Sequence, residues 1–435
     1  MNSNTVQTRP ATPSSGARRD RFATAKNAAS WPFWKTIPRF GREYHARDLL
    51  KALKAVASSP QDEATGLETY FPTANSFHFA RSGKECLYLI LRCLGLRNRA
   101  RVGVPLYCCE AVFAAISEAG HIPVFLDIDL NSYGFDEESL WSHRNDLDAL
   151  IVVHTFGYPA NLTRIQECLG DRDIPVIEDC AHSLFSEYLG APTGSWTQAS
   201  FLTFGVHKPA SAGGGGMLVM NNPALASAAA ERTRHLRAES KSQEVRHSLV
   251  SWARSLCYQR GVYGALLASV LAKSRDAAAG EGQSGGLREH RKRAPASRIR
   301  LVDRILIGER VSNFQSSQAV LARNTAGIRK SLLHTSLAIP EEPSYGTWNH
   351  FMLPVRYENS ARCRSARTFL LKKRIDTSPL YRNCVHNARR YGYYGGCPQA
   401  ECAAETACTV PNHAWLSEEE LEHICIALRL SAETS

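Results

Sequence analysis

Short apolar runs alternate with helical stretches over residues 82–222 of this chain. After Ser82 and Gly83, apolar residues recur as in a well-buried helix as far as Cys93. Six β-branched or aromatic runs follow, and helical stretches such as Glu110–Ala119 and Leu162–Leu169 separate several of them. The runs are RVGVPLY, HIPVFLDID, DALIVVHTFG, IPVIEDCAHS, ASFLTFG and GGMLVMNN. This alternation predicts an α/β fold whose mostly parallel sheet is covered by helices on both faces.

Residues that directly follow these runs are the first candidates for chemistry. In a parallel sheet, ligands bind beyond the carboxyl ends of the strands. Side chains at those positions are therefore expected to meet along one edge of the sheet. They are Tyr107, Cys108, Cys109, Asp127, His154, Glu178, Asp179, His182, His207 and Lys208.

The pattern changes beyond Pro223. A helical, basic stretch follows, and its segment 248–272 is amphipathic. Coverage of the protein's own core, or of a partner's, is favoured for it over contact with a membrane surface. The Gly-rich AAAGEGQSGG is typical of a loop or linker. Beyond Asn349, a second strand-and-helix pattern predicts a smaller α+β domain, and Ser417 with Glu420 should form a capping box for its last helix.

This organisation predicts that the chain is divided into four segments. Residues 1–40 have no sustained period and are predicted to be a disordered basic arm. Residues 41–235 form a large ligand-binding domain, and residues 236–300 a helical basic insert and linker. Residues 301–435 form a small C-terminal domain that starts with an interdomain helix.

Composition narrows the class of protein. The chain has 435 residues, of which 44% are hydrophobic, so it can bury a large core. No apolar run approaches the roughly 18 residues that cross a bilayer, and the N-terminus lacks the apolar centre of a secretory signal, so we expect a cytoplasmic protein. Its 13 cysteines include no CxxC pair, which favours reduced core residues over a disulfide framework or a metal site.

The formal net charge of +11 is concentrated in two places. They are the arm, whose only acid up to Arg39 is Asp20, and the run LREHRKRAPASRIR at 287–300. Solvated chain is the favoured interpretation of both, with binding to acidic phospholipid or another polyanion as the alternative. Peripheral membrane contact through the insert therefore stays open. The sequence has no nucleic-acid-binding motif, so no nucleic-acid partner is expected.

Lys208 lies between an apolar run and four glycines in FLTFGVHKPASAGGGG. A free lysine amine titrates near 10.4 and is protonated in water, but a lysine joined to an aldehyde as an imine is reactive at neutral pH. This chemistry indicates pyridoxal 5′-phosphate (PLP). PLP needs an imine lysine, a carboxylate beside its pyridine nitrogen, a phosphate cradle and a group stacked on its ring.

Each requirement has a candidate. Lys208 is the imine lysine, and Asp179 is the carboxylate. Ser82 and Gly83, at a helix start with free backbone N–H groups, form the cradle together with the Thr203 hydroxyl. Tyr107 or Cys109 faces the ring, and His182 lies near the hydroxyl side of PLP. Taken singly, these residues have commoner roles as helix caps, ion-pair partners and turns, so the prediction rests on their order and spacing.

The chain resembles the DegT/DnrJ/EryC1/StrS family of PLP-dependent sugar aminotransferases from about Gly41 to Leu430, apart from the basic insert. The segments that carry the resemblance are RSGKECLYLIL, VGVPLYCCEAVFAAISEAGHIPVFLDID, ALIVVHTFGYPAN, IPVIEDCAHS, SFLTFGVHKPASAGGGGMLVMNN, RVSNFQSSQAVLA, IDTSPLY and VPNHAWLSEEELEHI. The resemblance implies the fold of aspartate aminotransferase (PLP fold type I), with a large domain around a seven-stranded sheet and a smaller C-terminal domain.

The resemblance implies a role for each residue of this chain that matches a functional position of the family. Lys208 matches the imine lysine and proton shuttle, Asp179 the partner of the pyridine nitrogen, and His182 the polar residue near the phenolic oxygen. Ser82, Gly83 and Thr203 match phosphate ligands. Lys84 stands where threonine or serine is commoner.

Three positions depart from the family pattern. The ring-stacking aromatic falls at Cys109, so stacking is lost or passes to Tyr107. Gly308 replaces an asparagine that reaches the partner subunit's phosphate in many members. Gly214 replaces the glutamate of the glycine turn.

The resemblance implies transamination of a keto-sugar nucleotide, with an amino donor such as glutamate, in a homodimer. One alternative is a deoxysugar dehydratase, whose relatives have histidine in place of the lysine; here His207 precedes Lys208, but alignment on SFLTF places Lys208 in that position. The other is a non-catalytic relative that binds a sugar or polymer. The presence of both Lys208 and Asp179 favours the enzyme.

Overall fold

A seven-stranded sheet forms the centre of the large domain in the computed structural model, which describes residues 31–58, 65–259, 261–266 and 296–433. The strands in chain order are β1 (Ser76–Ala80), β2 (Arg101–Pro105), β3 (Ile122–Leu126), β4 (Ala149–Val153), β5 (Val176–Asp179), β6 (Glu187–Tyr188), β7 (Ala191–Pro192), β8 (Ala199–Thr203), β9 (Gly216–Met220), β10 (Gly346–Thr347), β11 (Leu353–Arg356) and β12 (Ala407–Val410).

The α-helices of the described residues cover this sheet and build the rest of the chain. In order they are α1 (Ala46–Ser58), α2 (Leu67–Tyr70), α3 (Gly83–Cys93), α4 (Glu110–Glu118), α5 (Glu137–His143), α6 (Leu162–Leu169), α7 (Pro223–Arg234), α8 (Lys241–Leu256), α9 (261–266), α10 (Leu301–Ser331), α11 (Ser360–Lys372), α12 (Cys384–Arg389), α13 (Pro398–Thr406) and α14 (Glu418–Glu433).

The large sheet is mostly parallel, as predicted. Its strand order is β1-β9-β8-β5-β4-β2-β3. The pairs β2–β3, β2–β4, β4–β5 and β5–β8 are parallel, whereas β9 is antiparallel to both β1 and β8. The predicted α/β fold is therefore confirmed. The carboxyl ends of β5 and β8 lie side by side, so residues that follow these two strands enter one region.

Burial on both faces of the sheet explains its unbroken apolar strands. Along β4, Ile151 and Val153 pack in one core cluster with α3 and α4, whereas Leu150 and Val152 pack in another with α5 and α6. Successive side chains of a strand point to opposite faces, so a strand covered on both sides is apolar throughout.

The small domain is built on the antiparallel pair β11–β12, against which α11 and α14 pack. Its last helix begins with the predicted capping box: Glu420 N donates to Ser417 Oγ (3.2 Å), and Ser417 N donates to Glu420 Oε2 (2.9 Å). The predicted small α+β domain thus has both of its expected components.

The end of the predicted disordered arm, residues 1–40, is held against the small domain. Ile37 is fully buried there, Ile37 N donates to Arg374 O (2.8 Å), and Asp376 N donates to Ile37 O (3.0 Å). Residues 31–40 are therefore ordered, because a buried apolar side chain and two backbone hydrogen bonds offset the entropy of fixing the chain. Residues 1–30 lie outside the described part of the chain.

The described part of the insert packs on the protein's own surface. Helix α8 lies against α1, and Ser255 Oγ accepts a hydrogen bond from Tyr44 N (2.9 Å). At the end of the basic run, Arg300 pairs with Glu239 (2.7 Å). The linker AAAGEGQSGG and most of the basic run lie outside the described residues. Among the helices that are described, none combines the length and apolar character needed to cross a membrane.

Candidate active site

Lys208 and Asp179 come together beyond the carboxyl ends of neighbouring strands. Asp179 is the last residue of β5, and the chain leaving β8 turns at Lys208. Lys208 Nζ lies 2.9 Å from His182 Nε2, and the charges of Lys208 and Asp179 each influence the pKa of the other. The three residues predicted to be catalytic therefore occupy one site.

Burial favours the neutral forms of the lysine and the histidine. Desolvation lowers the pKa of Lys208, while the nearby Cys109 thiol and Asp179 carboxylate oppose this shift. Desolvation and then the adjacent Lys208 charge lower the pKa of His182 well below its usual value. His182 is therefore a neutral imidazole at pH 7, and its Nε2 can accept the hydrogen bond from Lys208.

The Asp179 carboxyl is buried among groups that modulate its charge. Burial raises its pKa, whereas the hydrogen bond from Ala181 N to Oδ1 (2.9 Å) and the charges of Lys208 and His154 lower it. A buried carboxylate of this kind gains stabilisation from a cationic partner. The site is therefore suited to a protonated ring nitrogen.

Glu178, next to Asp179, has a different environment. Its buried carboxylate accepts hydrogen bonds from His154 Nε2 (3.1 Å) and from three backbone N–H groups of the turn 194–197. His154 Nδ1 in turn accepts from Ala160 N (3.0 Å). Although His154, Glu178 and Cys180 lie close enough to hold a metal ion, hydrogen bonds within the protein already use both histidine nitrogens and the carboxylate. This network fixes the end of β5 that presents Asp179.

The residues predicted to form the phosphate cradle lie together at the start of α3. Ser82 caps the helix, because its Oγ accepts a hydrogen bond from Glu85 N (3.3 Å). A Cβ atom at Gly83 would lie 2.9 Å from Thr203 Cβ, and one at Gly216 would lie 2.8 Å from Gly83 N. Ser82, Gly83 and Thr203 are thus in close contact. Only residues without a side chain at 83 and 216 allow this approach.

Two of the predicted cofactor residues have other partners. The Lys84 side chain forms an ion pair with Glu118 at the surface. Tyr107 is fully buried, and its hydroxyl donates to Leu380 O (2.9 Å). Cys109, by contrast, is exposed at the start of α4 and lies close enough to Lys208 to affect its pKa.

Tyr381 is a site residue that sequence reasoning did not assign. Its ring is stacked with that of His182, with centroids 6.3 Å apart and an interplanar angle of 16°. Burial and the nearby Cys109, Cys108 and Asp179 groups raise its pKa. Tyr381 ends IDTSPLY, one of the segments that carry the family resemblance. Its position in that segment is the sequence signal that could have identified it.

A basic cleft of about 380 Å³ opens beside Lys208. It is lined by Arg42, Arg47 and Arg310 together with apolar residues such as Phe351 and Trp415. Among the described residues, Arg42 Nε is buried without a hydrogen-bond partner. Arg47 and Arg310 pair with Glu309 (3.0 Å) and Asp48 (2.6 Å), so the cleft offers chiefly the Arg42 guanidinium to an anionic ligand next to the lysine. None of these arginines was predicted.

The departure at Gly214 has a steric explanation in this chain. A Cβ atom there would lie 2.5 Å from Oδ2 of Asp303, a buried residue of α10. The other Asp303 oxygen lies 2.8 Å from His247 Nε2 of α8. A carboxylate from α10 thus fills the space that a side chain at 214 would need. Gly308 also lies within α10.

Comparisons with known proteins agree with this geometry. Residues 66–258 match the model of the DegT/DnrJ/EryC1/StrS aminotransferase family. GDP-perosamine synthase of Escherichia coli O157:H7 is 31% identical over 162 residues, which cover 36% of this chain and 44% of the synthase. The chain spans about half the length of the curated relatives it matches, or less.

Solved structures show the same fold. The aminotransferase TlmJ from Streptoalloteichus hindustanus superposes with a TM-score of 0.70 at 20% identity, over 92% of this chain and 99% of TlmJ. Spr1654 from Streptococcus pneumoniae, in its PLP form, superposes with a TM-score of 0.69 at 16% identity, over 92% of this chain and 99% of that protein. The match to the DegT/DnrJ/EryC1/StrS aminotransferase family thus covers residues 66–258, and the strand order, with Lys208 and Asp179 at one edge of the sheet, is consistent with it.

Proposed function

We propose that this protein is a PLP-dependent aminotransferase that converts a keto-sugar carried on a nucleotide into an amino sugar. One observation carries the proposal: Lys208 Nζ lies 2.9 Å from His182 Nε2, beside the buried Asp179. The family match supports it, as does the name of one relative, GDP-perosamine synthase. The PLP form of the superposable Spr1654 supports the cofactor.

The residues fit PLP chemically. Asp179 would hold the ring nitrogen protonated, and Ser82, the Gly83 backbone N–H and Thr203 would bind the phosphate. Cys109 and Tyr381 border the space next to Lys208 and would contact the ring. When bound, PLP supplies an aldehyde that forms an imine with an amine, and a ring that accepts the electrons of a broken C–H bond.

The protein's own groups would move the protons. Burial lowers the pKa of Lys208 and so favours its neutral amine, which can both attack an aldehyde and accept a proton. The hydrogen bond that Lys208 Nζ donates to His182 Nε2 fixes the direction of Nζ. Lys208 would then take a proton from the α-carbon of the amino donor and return it on the cofactor side.

The basic cleft supports an anionic substrate. Arg42 would pair with a phosphate of a nucleotide-linked sugar, or with a carboxylate of a donor such as glutamate, and Arg47 and Arg310 would add positive charge nearby. Glutamate as donor and a homodimer as the active assembly are part of this proposal and rest on the family resemblance.

The dehydratase alternative requires a histidine in place of the lysine. His207 has partners of its own: its Nε2 lies 2.8 Å from Tyr258 Oη, and its ring stacks on Phe40 with centroids 4.2 Å apart. Lys208, not His207, therefore enters the site. A non-catalytic sugar-binding protein is the other alternative, and its purified form would stay colourless when PLP is added.

Absorbance spectra of the purified protein with PLP test the proposal. We expect an imine band near the edge of the visible range, lost in Lys208→Ala and kept in the control Lys84→Ala. Glutamate should remove the band, and a keto-sugar nucleotide should restore it while an amino sugar of the expected mass forms. A Lys208→Ala variant that keeps turnover would refute the assignment. Deoxysugar formation without amine transfer would establish the dehydratase.

A further inference from the structure

The insert reaches the turn that carries the lysine. Tyr258, two residues beyond the end of α8, places its hydroxyl oxygen 2.8 Å from His207 Nε2, and the two rings meet edge to face with centroids 5.2 Å apart. His207 immediately precedes Lys208. A residue of the insert thus contacts the turn that holds the proposed reactive amine.

The His207 backbone has a conformation that needs support. Its φ is 61°, in the left-handed region that a non-glycine residue adopts only when its surroundings hold it there. The carboxylate of Glu43 provides one restraint, because His207 N donates to Oε1 (2.9 Å) and Ser211 Oγ donates to Oε2 (2.7 Å). Glu43 therefore clamps the turn on both sides of Lys208.

The His207 ring has three close neighbours among the described residues. Phe40 stacks on it, Nδ1 lies 3.4 Å from Glu43 Oε1, and Nε2 faces the Tyr258 hydroxyl. Nδ1 makes no hydrogen bond within the described residues, so the Tyr258 hydroxyl is the hydrogen-bond partner of the ring there.

Tyr258 itself is anchored to the small domain. Its ring stacks on Tyr263 of α9, with centroids 5.6 Å apart and an interplanar angle of 22°. The Tyr263 hydroxyl donates to the Asp376 carboxylate, which also pairs with Arg39 Nε (2.9 Å). A continuous line of contacts therefore runs from Asp376 through the insert to the lysine turn.

We propose that Tyr258 is a positioning residue of the lysine site: its hydroxyl fixes His207 and so directs Lys208 Nζ towards the PLP aldehyde. This inference rests on the proposed function. In the step it assists, the neutral amine forms a C=N bond to the aldehyde carbon, and the carbonyl oxygen leaves as water with the two amine protons. Tyr258 does not touch the reacting atoms.

A pair of ligands isolates this role. PLP binds through its phosphate, its ring and the bond to lysine, whereas pyridoxine 5′-phosphate lacks the aldehyde and cannot form that bond. In Tyr258→Phe, one hydrogen bond to His207 is lost, so we expect the dissociation constant of PLP to rise roughly fivefold. The dissociation constant of pyridoxine 5′-phosphate should stay within twofold, because its contacts do not include the lysine bond.

Tyr357→Phe is the matched control. The Tyr357 hydroxyl also makes a single buried hydrogen bond, to Ser431 Oγ (3.0 Å), but in the small-domain core. Neither ligand should bind it differently from the wild type. Fluorescence or absorbance titration of the apoprotein measures both constants, and thermal unfolding shows that each variant is folded.

Two results would overturn the inference. Unchanged PLP affinity in Tyr258→Phe would show that the hydroxyl does not direct Lys208. Equal losses for PLP and pyridoxine 5′-phosphate would show that Tyr258 only supports the fold. Failure of the proposed function looks different, because the wild-type protein would then bind PLP without an imine band.

Discussion

Replacing Gly83 by alanine tests the packing of the phosphate cradle. The new Cβ would lie 2.9 Å from Thr203 Cβ and 3.3 Å from Thr203 Oγ1. Carbon atoms in contact are normally about 3.5–4.0 Å apart, so α3 and β8 must separate by roughly 0.6–1.1 Å. Both neighbours belong to regular elements of the core, which limits how far they can relax.

The expected effect has two components. Overpacking of this size lowers the free energy of unfolding by about 1–3 kcal/mol. Moving the start of α3 also lengthens hydrogen bonds to the phosphate. Loss of one charge-assisted hydrogen bond of about 1.5–3 kcal/mol weakens PLP binding about tenfold or more. Pyridoxal, which has no phosphate, should bind Gly83→Ala and the wild-type protein equally.

Gly327→Ala is the control for stability. Gly327 lies in α10, and the nearest atom to its added Cβ would be Leu421 Cδ2 at an ordinary 3.7 Å. Alanine should stabilise this helix by up to about 1 kcal/mol. Denaturant unfolding of both variants and titration with the two ligands measure the effects. Equal stability changes at 83 and 327, or equal losses of PLP and pyridoxal affinity, would refute the reasoning.

Three further predictions concern single residues. Glu178→Gln should lower the free energy of unfolding by about 3 kcal/mol in urea, because an amide cannot accept at both oxygen positions used by the backbone donors; an unchanged midpoint would contradict this. Lys84→Ala should leave the dissociation constant of PLP within twofold, since the Lys84 side chain pairs with Glu118, and a tenfold loss would place it in the cradle. Below pH 6.5 the unfolded chain protonates His182 before the folded chain does, so the apoprotein loses stability as pH falls; His182→Asn should reduce that slope by up to about 1.4 kcal/mol per pH unit, and identical slopes would show that His182 is not held neutral.

The sequence predicted those features that depend on neighbouring residues. Alternating apolar runs and helices predicted the sheet, and the parallel arrangement places Asp179 and the Lys208 turn at one edge whatever the exact register. The capping box of Ser417 and Glu420 was also readable, because both of its partners lie within one helical turn.

Features that depend on contacts between distant parts of the chain could not be predicted from local sequence patterns. β1 was not predicted, since SFHFA is five residues long and contains two polar residues; its pairing with β9 decides its conformation. Tyr381 contacts His182, and Tyr258 contacts His207, from segments far along the chain; apart from the position of Tyr381 in IDTSPLY, no local pattern indicates these contacts. Lys84 follows Gly83 in sequence, but the helix turns its side chain towards Glu118.

The most direct test of the account is the location of the PLP bond. Borohydride reduction of the PLP-loaded protein makes an imine permanent, and mass spectrometry of the digested chain then locates the added mass. We predict that the modification lies on Lys208 and that Asp179→Asn still carries it there. Modification of a different lysine, or none at all in the wild-type protein, would contradict the central claim.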